Sequence, residues 1–248
     1  MTALFAGAIT FVFTTVLTIA GVGAAFVLIP VFLALGVELH AAMATALLLN
    51  GLSMSVASVR FVRHRLIDFG LAVPMAVVAV ALSPLGVWVS RGLPRNQLLW
   101  AFVVFLVLAA GMMLFYQPRA RATVLPAGRR VLLGLGVGGL AGFVGGLLGV
   151  GGGNLILPVL VGAGLDPKRA SATSSFVVVF ASFAGFAGHM TTGGISYPLL
   201  GWTAAGAVGG ALLGSWLMTD RLKSRHVKLL IGVTLLAIAV KMVWGLVA

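Results

Sequence analysis

The sequence contains no cysteine and very little charge for its length. Of its 248 residues, 8% are charged and 61% are hydrophobic, and the carboxylates number only four. The absence of cysteine excludes disulfides, thiolate metal sites and cysteine nucleophiles. A soluble domain carries about 25% charged residues. This chain could not cover a water-exposed surface, so its composition indicates a polytopic, all-α membrane protein with lipid as its solvent.

The few charges are mostly basic, and the formal net charge is +12. The lysines and arginines lie in short clusters between apolar runs, which is typical of cytoplasmic loops that face anionic lipid. We therefore expect the lipid bilayer as a partner and no nucleic acid. The sequence leaves open whether copies assemble into a homo-oligomer.

The chain repeats itself at an offset of 128 residues. The Gly-Val-Gly run at 21–23 recurs at 149–151, and Pro30 recurs as Pro158. Each copy of a repeat of this length predicts one structural unit. The sequence thus consists of two homologous halves.

The repeat gives the predicted domain organisation. Residues 1–117 form an N-terminal transmembrane repeat, and residues 131–248 form a C-terminal one. The basic, proline-containing segment 118–130 is predicted to be a cytoplasmic linker.

Small residues spaced four apart predict one closely packed helix in each half, because such stripes let transmembrane helices approach each other. The stripe of the second half is glycine throughout, and its counterparts in the first half are alanine and threonine: Gly134, Gly138, Gly142 and Gly146, against Ala6, Thr10, Thr14 and Thr18.

Each half is predicted to contain four long helices and one short segment broken by glycine and proline. The long helices can cross about 30 Å of hydrocarbon, whereas the short segments cover about 18 Å at 1.5 Å per residue. In chain order the predicted segments are 3–20, 24–35 (short), 41–59, 69–90 and 98–116, then 131–148, 152–163 (short), 171–190, 197–218 and 228–247.

Two topologies follow from the short segments. If they do not cross the membrane, the protein has eight spans in two parallel repeats of four, and the basic residues divide evenly between the two sides. If they cross, the repeats are inverted, and 13 of the 16 lysines and arginines lie on one side. The positive-inside rule favours inverted repeats with both termini outside.

The two short segments are also the candidate binding site. Matched, interrupted segments in inverted halves are typical of transport sites, and the backbone N–H groups at the helix start after a break favour anions. Packing or tight turning of helices would be the better explanation for a single such motif, but the duplication, the paired prolines and the triple glycine favour binding. The candidate residues are Gly21, Gly23, Ala24, Gly149, Gly151, Gly152, Gly153 and Asn154, with Pro30 and Pro158 as predicted helix breaks.

Polar side chains on the helix after each short segment extend the candidate site. Thr45 and Asn50 lie on the first of these helices, and Thr173 and Ser174 on the second. Hydrogen bonding between helices is the structural alternative for these groups. Thr45 and Thr173 are the better candidates for substrate binding because they occupy equivalent positions.

Ionisable groups at membrane depth are functional candidates. His189, at the end of an apolar run, is a candidate for proton or ion coupling, with an interfacial histidine as the alternative. Glu38 and Asp166 are equivalent acids that we expect to cap the helices that follow them. No arrangement of residues suited to catalysis is present, so we expect neither an enzyme nor a cofactor or metal.

Taken together, these residues resemble the sulfite exporter TauE/SafE family. The second half carries the family's pattern closely: a Gly-x-Gly-Gly-Gly run at 149–153, Pro158, Gly164 and Ala-Ser-Ala-Thr-Ser at 170–174. The first half departs from it, since Ala24 and Ala25 replace two glycines.

The resemblance implies a permease of the bacterial cytoplasmic (inner) membrane. It implies a secondary transporter, with export the expected direction, for a small sulfur-containing anion such as sulfite or an organosulfonate. Alternating access around the two glycine-broken helices is the expected mechanism. An anion channel with the same pocket, or a permease for a different small solute, remains the alternative.

Overall fold

The computed structural model describes residues 2–115, 127–190 and 197–221, together with 236, 239–240 and 243–244. These residues are organised as α-helices joined by short turns. In chain order the helices are α1 (Thr2–Ile19), α2 (Ala25–Ala34), α3 (Leu39–Arg63), α4 (Phe69–Gly92), α5 (Arg95–Phe115), α6 (Ala127–Leu148), α7 (Gly153–Gly162), α8 (Pro167–His189) and α9 (Tyr197–Asp220).

The helices match the predicted segments to within a few residues. The two short segments are the 10-residue helices α2 and α7. The linker predicted at 118–130 lies outside the described residues up to position 126, and α6 begins at Ala127. Most of the segment predicted at 228–247 also lies outside them.

Within the described residues, four helices are both long and apolar enough to cross a membrane: α3, α4, α8 and the part of α6 from Arg130 to Leu148. α1, α5 and α9 contain 18, 21 and 24 residues. The chain is therefore an integral membrane protein built from helices.

The predicted caps of α3 and α8 are confirmed. A carboxylate oxygen of Glu38 accepts hydrogen bonds from the backbone N–H groups of His40 and Ala41, and Asp166 accepts from those of Lys168 and Arg169. Desolvation by itself would raise the pKa of Glu38, but the two backbone hydrogen bonds and neighbouring His40 bring it below its ordinary value of 4.5.

The glycine stripe of α6 packs against the backbone of α4. A Cβ atom at Gly138 would overlap the backbone of Met75, one at Gly142 would overlap Ala79, and one at Gly146 would overlap Ser83. Residue numbers rise together along both helices, so α4 and α6 run parallel. The close approach predicted for this stripe is confirmed.

The equivalent helix of the first half, α1, packs on α9 in the same way. Glycines of α9 at 206, 210 and 214 lie against α1 near Gly7, Phe11 and Thr15. The numbers again rise together, so α1 and α9 are parallel. The first helix of each half thus packs against a helix of the other half.

Helices α3 and α8 lie together in the middle of the molecule and run antiparallel. Near the start of α3 the ring of His40 lies 5.7 Å from that of His189, at the end of α8. Further along, Asn50 donates a 2.9 Å hydrogen bond to Ser182. Most of their residues are buried, so the two helices form the centre of the core.

Two ion pairs join the halves at the end of the molecule opposite the two histidines. Arg60 pairs with Asp220 at 2.8 Å, and Arg130 lies 3.8 Å from Asp68. Arg91, at the histidine end, donates to the backbone oxygen of Gly188. The halves are therefore joined by ion pairs at the end of the molecule that carries Arg60, called the Arg60 face, and by a hydrogen bond to a backbone oxygen at the histidine end.

Candidate functional site

The turns before α2 and α7 depend on glycine. Gly21 and Gly23 have φ of 66° and 79°, and Gly149, Gly151 and Gly152 have φ of 70°, 72° and 74°. Side chains rarely adopt this left-handed conformation, which glycine enters without steric cost. The glycines reverse the chain inside the molecule after α1 and after α6.

Both turns reach the same place, next to Asn50 of α3. A Cβ atom at Gly23 would overlap Oδ1 of Asn50, and one at Gly151 would lie 2.7 Å from its Nδ2 and 2.6 Å from Oγ of Ser182. A Cβ atom at Gly153 would lie 2.7 Å from the backbone oxygen of Val22. The structure therefore brings the two broken segments into contact at the centre of the molecule.

The helices that begin at these turns have no side-chain caps. The N-cap residues of α2 and α7 are Ala24 and Gly152, and neither provides a side-chain hydrogen bond. By contrast, α3 and α8 begin at the capping carboxylates of Glu38 and Asp166. The first N–H groups of a helix have no partner within the helix and carry a partial positive charge. The uncapped starts of α2 and α7 can therefore bind an anion.

Two buried carboxamides accompany the uncapped helix starts. Asn154, in the first turn of α7, is 1% exposed, and neither Nδ2 nor Oδ1 has a hydrogen-bond partner. Asn50 is 0% exposed, and its Oδ1, which faces Gly23, is also without a partner. Buried polar atoms are nearly always hydrogen-bonded, so these unpartnered atoms next to the helix starts make the two asparagines candidates for contact with a polar ligand.

The hydroxyls predicted for the site make hydrogen bonds within the protein. Thr45 donates to the backbone oxygen of Ala41 at 2.7 Å, and Thr173 accepts from the backbone N–H of Asp68 at 3.0 Å. Ser174 donates to the backbone oxygen of Gly153 at 3.4 Å. Of the three, Ser174 directly contacts a glycine segment; a substrate role for Thr45 and Thr173 stays a prediction.

The prediction that Pro30 and Pro158 break the short segments is wrong as to position. Both residues lie inside continuous helices, α2 and α7. Proline removes one backbone hydrogen bond from a helix, but surrounding helices can compensate for it in a membrane protein. The breaks are made by the glycines before each helix.

Ser182 is a site residue that the sequence analysis missed. It contacts both Asn50 and the turn at Gly151. Its spacing from Ser171 and Ser175, together with Val178, follows the i, i+4, i+7, i+11 pattern of one helix face. That periodicity could have identified it.

His189 lies at the end of α8, beside the last turn of α6 that precedes Gly149. It is fully buried, and its Nε2 lies 2.9 Å from the backbone oxygen of Gly146. Its ring faces His40, which in turn lies 3.4 Å from Glu38. Its role in proton coupling stays a prediction.

The described part of the chain has no lysine or arginine among its buried residues. Over the same residues, no group of three or more histidine, aspartate or glutamate side chains is arranged to hold a metal ion. Among the described residues, the groups at the candidate site that can interact favourably with an anion are therefore backbone N–H groups and amide N–H groups.

The family model described as Sulfite exporter TauE/SafE matches residues 6–242. A Bacillus subtilis (strain 168) protein named "Probable membrane transporter protein YunE" is 24% identical over an alignment of 260 positions that covers 93% of each chain.

Two plant proteins are more similar over shorter stretches. "Sulfite exporter TauE/SafE family protein 6" of Arabidopsis thaliana is 44% identical over 62 residues, 25% of this chain and 13% of that protein. Family protein 1 of the same plant is 45% identical over 67 residues, 27% of this chain and 13% of that protein.

Proposed function

Because this chain belongs to the sulfite exporter TauE/SafE family, we propose that it is a secondary transporter that exports a small sulfur-containing anion, such as sulfite or an organosulfonate. The observation that carries this proposal is the meeting of two uncapped helix starts beside Asn50 and Asn154. Such a site binds an anion through backbone N–H groups and amides. It needs no buried cationic side chain.

The proposal includes inverted repeats. One observation supports this arrangement directly: α3 and its counterpart α8 are antiparallel, as inverted repeats require. The parallel pairs of α1 with α9 and of α4 with α6 are compatible with it. The equivalent residues Trp88 and Trp216 are 72% and 39% exposed. Trp88 lies near the end of α4, at the histidine end of the molecule, and Trp216 near the end of α9, at the Arg60 end. Tryptophan is enriched at membrane interfaces, so an inverted pair would mark the two surfaces.

The mechanism we propose is alternating access between the halves. Both asparagines are buried, so an anion can reach them only after the halves move apart on one face. The ion pair of Arg60 with Asp220 would hold one face, and the contact of His40 with His189 the other. The positive-inside rule assigns the Arg60 face to the cytoplasm of a bacterial inner membrane.

The test is efflux from proteoliposomes that contain the purified protein. Labelled sulfite, methanesulfonate, sulfate and acetate are loaded in turn, and efflux is followed with and without an imposed potential or pH gradient. We expect saturable efflux of a sulfur anion, with counterflow stimulated by substrate on the opposite side.

The result also separates the alternatives. Ohmic, non-saturating currents would indicate an anion channel. Saturable flux of acetate alone would indicate a permease for a different solute. Absence of flux for all four anions, in protein with an intact thermal transition, would overturn the proposed function and leave the helical fold unaffected.

A further inference from the structure

The candidate site offers hydrogen-bond acceptors as well as donors. Asn154 has an oxygen and a nitrogen without partners, whichever way its amide is turned, and Oδ1 of Asn50 is also without one. A fully ionised oxyanion can only accept hydrogen bonds. It would leave these carboxamide oxygens unsatisfied and would place its own negative oxygens beside them. A ligand that carries a donor of its own satisfies them.

The charge available at the site is also limited. The starts of α2 and α7 carry roughly half an elementary charge each, so together they compensate about one negative charge. No lysine or arginine is buried in the described part of the chain. A second negative charge would have to leave water without compensation, which is strongly unfavourable.

We propose that this site selects a singly charged oxyanion that carries a hydrogen-bond donor, such as hydrogensulfite or a hydroxyalkyl sulfonate, over a dianion such as sulfite or sulfate. The carboxamide oxygens of Asn154 and Asn50 accept a hydrogen bond from the donor group of the ligand. The uncapped N–H groups of α2 and α7 donate hydrogen bonds to its anionic oxygens. This inference rests on the proposed transport of a sulfur anion and defines its form.

The donor requirement is tested with two sulfonates of the same charge. Ethanesulfonate and 2-hydroxyethanesulfonate are both monoanions, and they differ by one hydroxyl. In proteoliposomes we expect kcat/KM for the hydroxylated anion to be at least about tenfold higher, since a site that pairs a hydroxyl discriminates against its absence. Equal values would overturn the donor requirement.

The charge requirement is tested by the pH dependence of sulfite transport. Hydrogensulfite ionises to sulfite near neutral pH, so sulfite flux should fall as pH rises through that range. Flux of 2-hydroxyethanesulfonate serves as the control, because its charge is constant. Titration of the protein's own groups, His40 and His189 with Glu38 and Arg91 beside them, would alter both fluxes alike. Sulfate flux equal to that of hydrogensulfite would contradict the charge requirement.

The variant Asn154→Leu tests whether Asn154 is responsible for the preference for the hydroxylated sulfonate. Asn154→Leu keeps similar volume and removes the amide, so the ratio of kcat/KM for the two sulfonates should fall toward one. Thr14→Val is the matched control, because Thr14 is equally buried with an unpartnered hydroxyl but lies in the contact of α1 with α9. It should leave the ratio unchanged.

These experiments distinguish failure of this inference from failure of the proposed function. If Asn154→Leu does not fold, the wild-type ratio and the pH profile still decide the inference. If wild-type protein transports ethanesulfonate and sulfate as well as the donor-bearing anions, the inference is wrong and the transporter stands. If it transports no sulfur anion at all, the proposed function itself fails.

Discussion

Glycines with nearly the same backbone conformation have very different surroundings in this protein. Gly23 has φ of 79° and faces Oδ1 of Asn50, whereas Gly36 has φ of 81° and would have nothing within 4 Å of an added Cβ. A side chain at either position would adopt a strained backbone conformation, but only a side chain at Gly23 would also clash with a residue of the candidate site. Comparing the two positions therefore distinguishes the effect of strain from the effect of the clash.

We predict that Gly23→Ala abolishes anion flux and that Gly36→Ala retains it. Each substitution costs about 1–2 kcal/mol for a side chain in the left-handed region, but only Gly23→Ala pushes a methyl group into Asn50. Flux is measured in proteoliposomes and thermal stability in detergent. Equal loss of flux in both variants would show that the site does not depend on the approach of Gly23 to Asn50.

The caps of α3 and α8 could be predicted from single residues, whereas the hydrogen bond of Thr45 could not. Glu38 and Asp166 were predicted as caps because acids are common at that position, and both make the expected hydrogen bonds. Thr45 was singled out by its repeat position, yet its hydroxyl bonds to its own helix. A hydroxyl in a helix can bond to the carbonyl four residues earlier, and the sequence does not reveal which choice it makes.

At the scale of helices, the glycine stripe determines how closely α6 approaches α4. Gly142 lies against the backbone of Ala79, whereas Gly136, on the same helix, has nothing within 4 Å of an added Cβ. Helix association in membranes depends on van der Waals packing of this kind, because lipid is as apolar as the side chains. The two glycines therefore have different structural roles.

We expect Gly142→Val to lower the free energy of unfolding by about 3 kcal/mol or more, beyond the usual range for overpacking, since the clash is with backbone that cannot rotate away. Gly136→Val is the matched control, with the same change in helix propensity and an effect of less than about 1 kcal/mol. The measurement is the thermal midpoint by size-exclusion chromatography in detergent. A similar shift for both variants would argue against the close contact of α4 and α6.

At the scale of the whole molecule, the arrangement of the halves makes a direct prediction about sidedness. The chain has no cysteine, so single cysteines can be introduced without a background. Arg63, at the end of α3, and Arg169, at the start of α8, lie toward the face that also carries the Arg60–Asp220 pair. Arg95 begins α5, after the chain has crossed through α4.

We predict that Arg63→Cys and Arg169→Cys react with a membrane-impermeant maleimide from the same side, and Arg95→Cys from the opposite side. Inverted repeats require this pattern, because α3 and α8 then cross in opposite directions. The assay uses intact cells and inverted vesicles. Labelling of Arg63→Cys and Arg169→Cys from opposite sides would establish parallel repeats instead.

The sequence alone determined the class of the protein, the repeat and the position of nearly every described helix. These properties follow from local causes: low charge requires lipid, apolar length defines a helix, and glycine and acidic residues define its ends. Only the tertiary structure decided that the two glycine turns meet beside Asn50, that Ser182 joins them, and that Asn154 is buried without a partner. Those facts depend on which helices pack together and in which direction, and contacts between residues more than a hundred positions apart leave no local pattern in the chain.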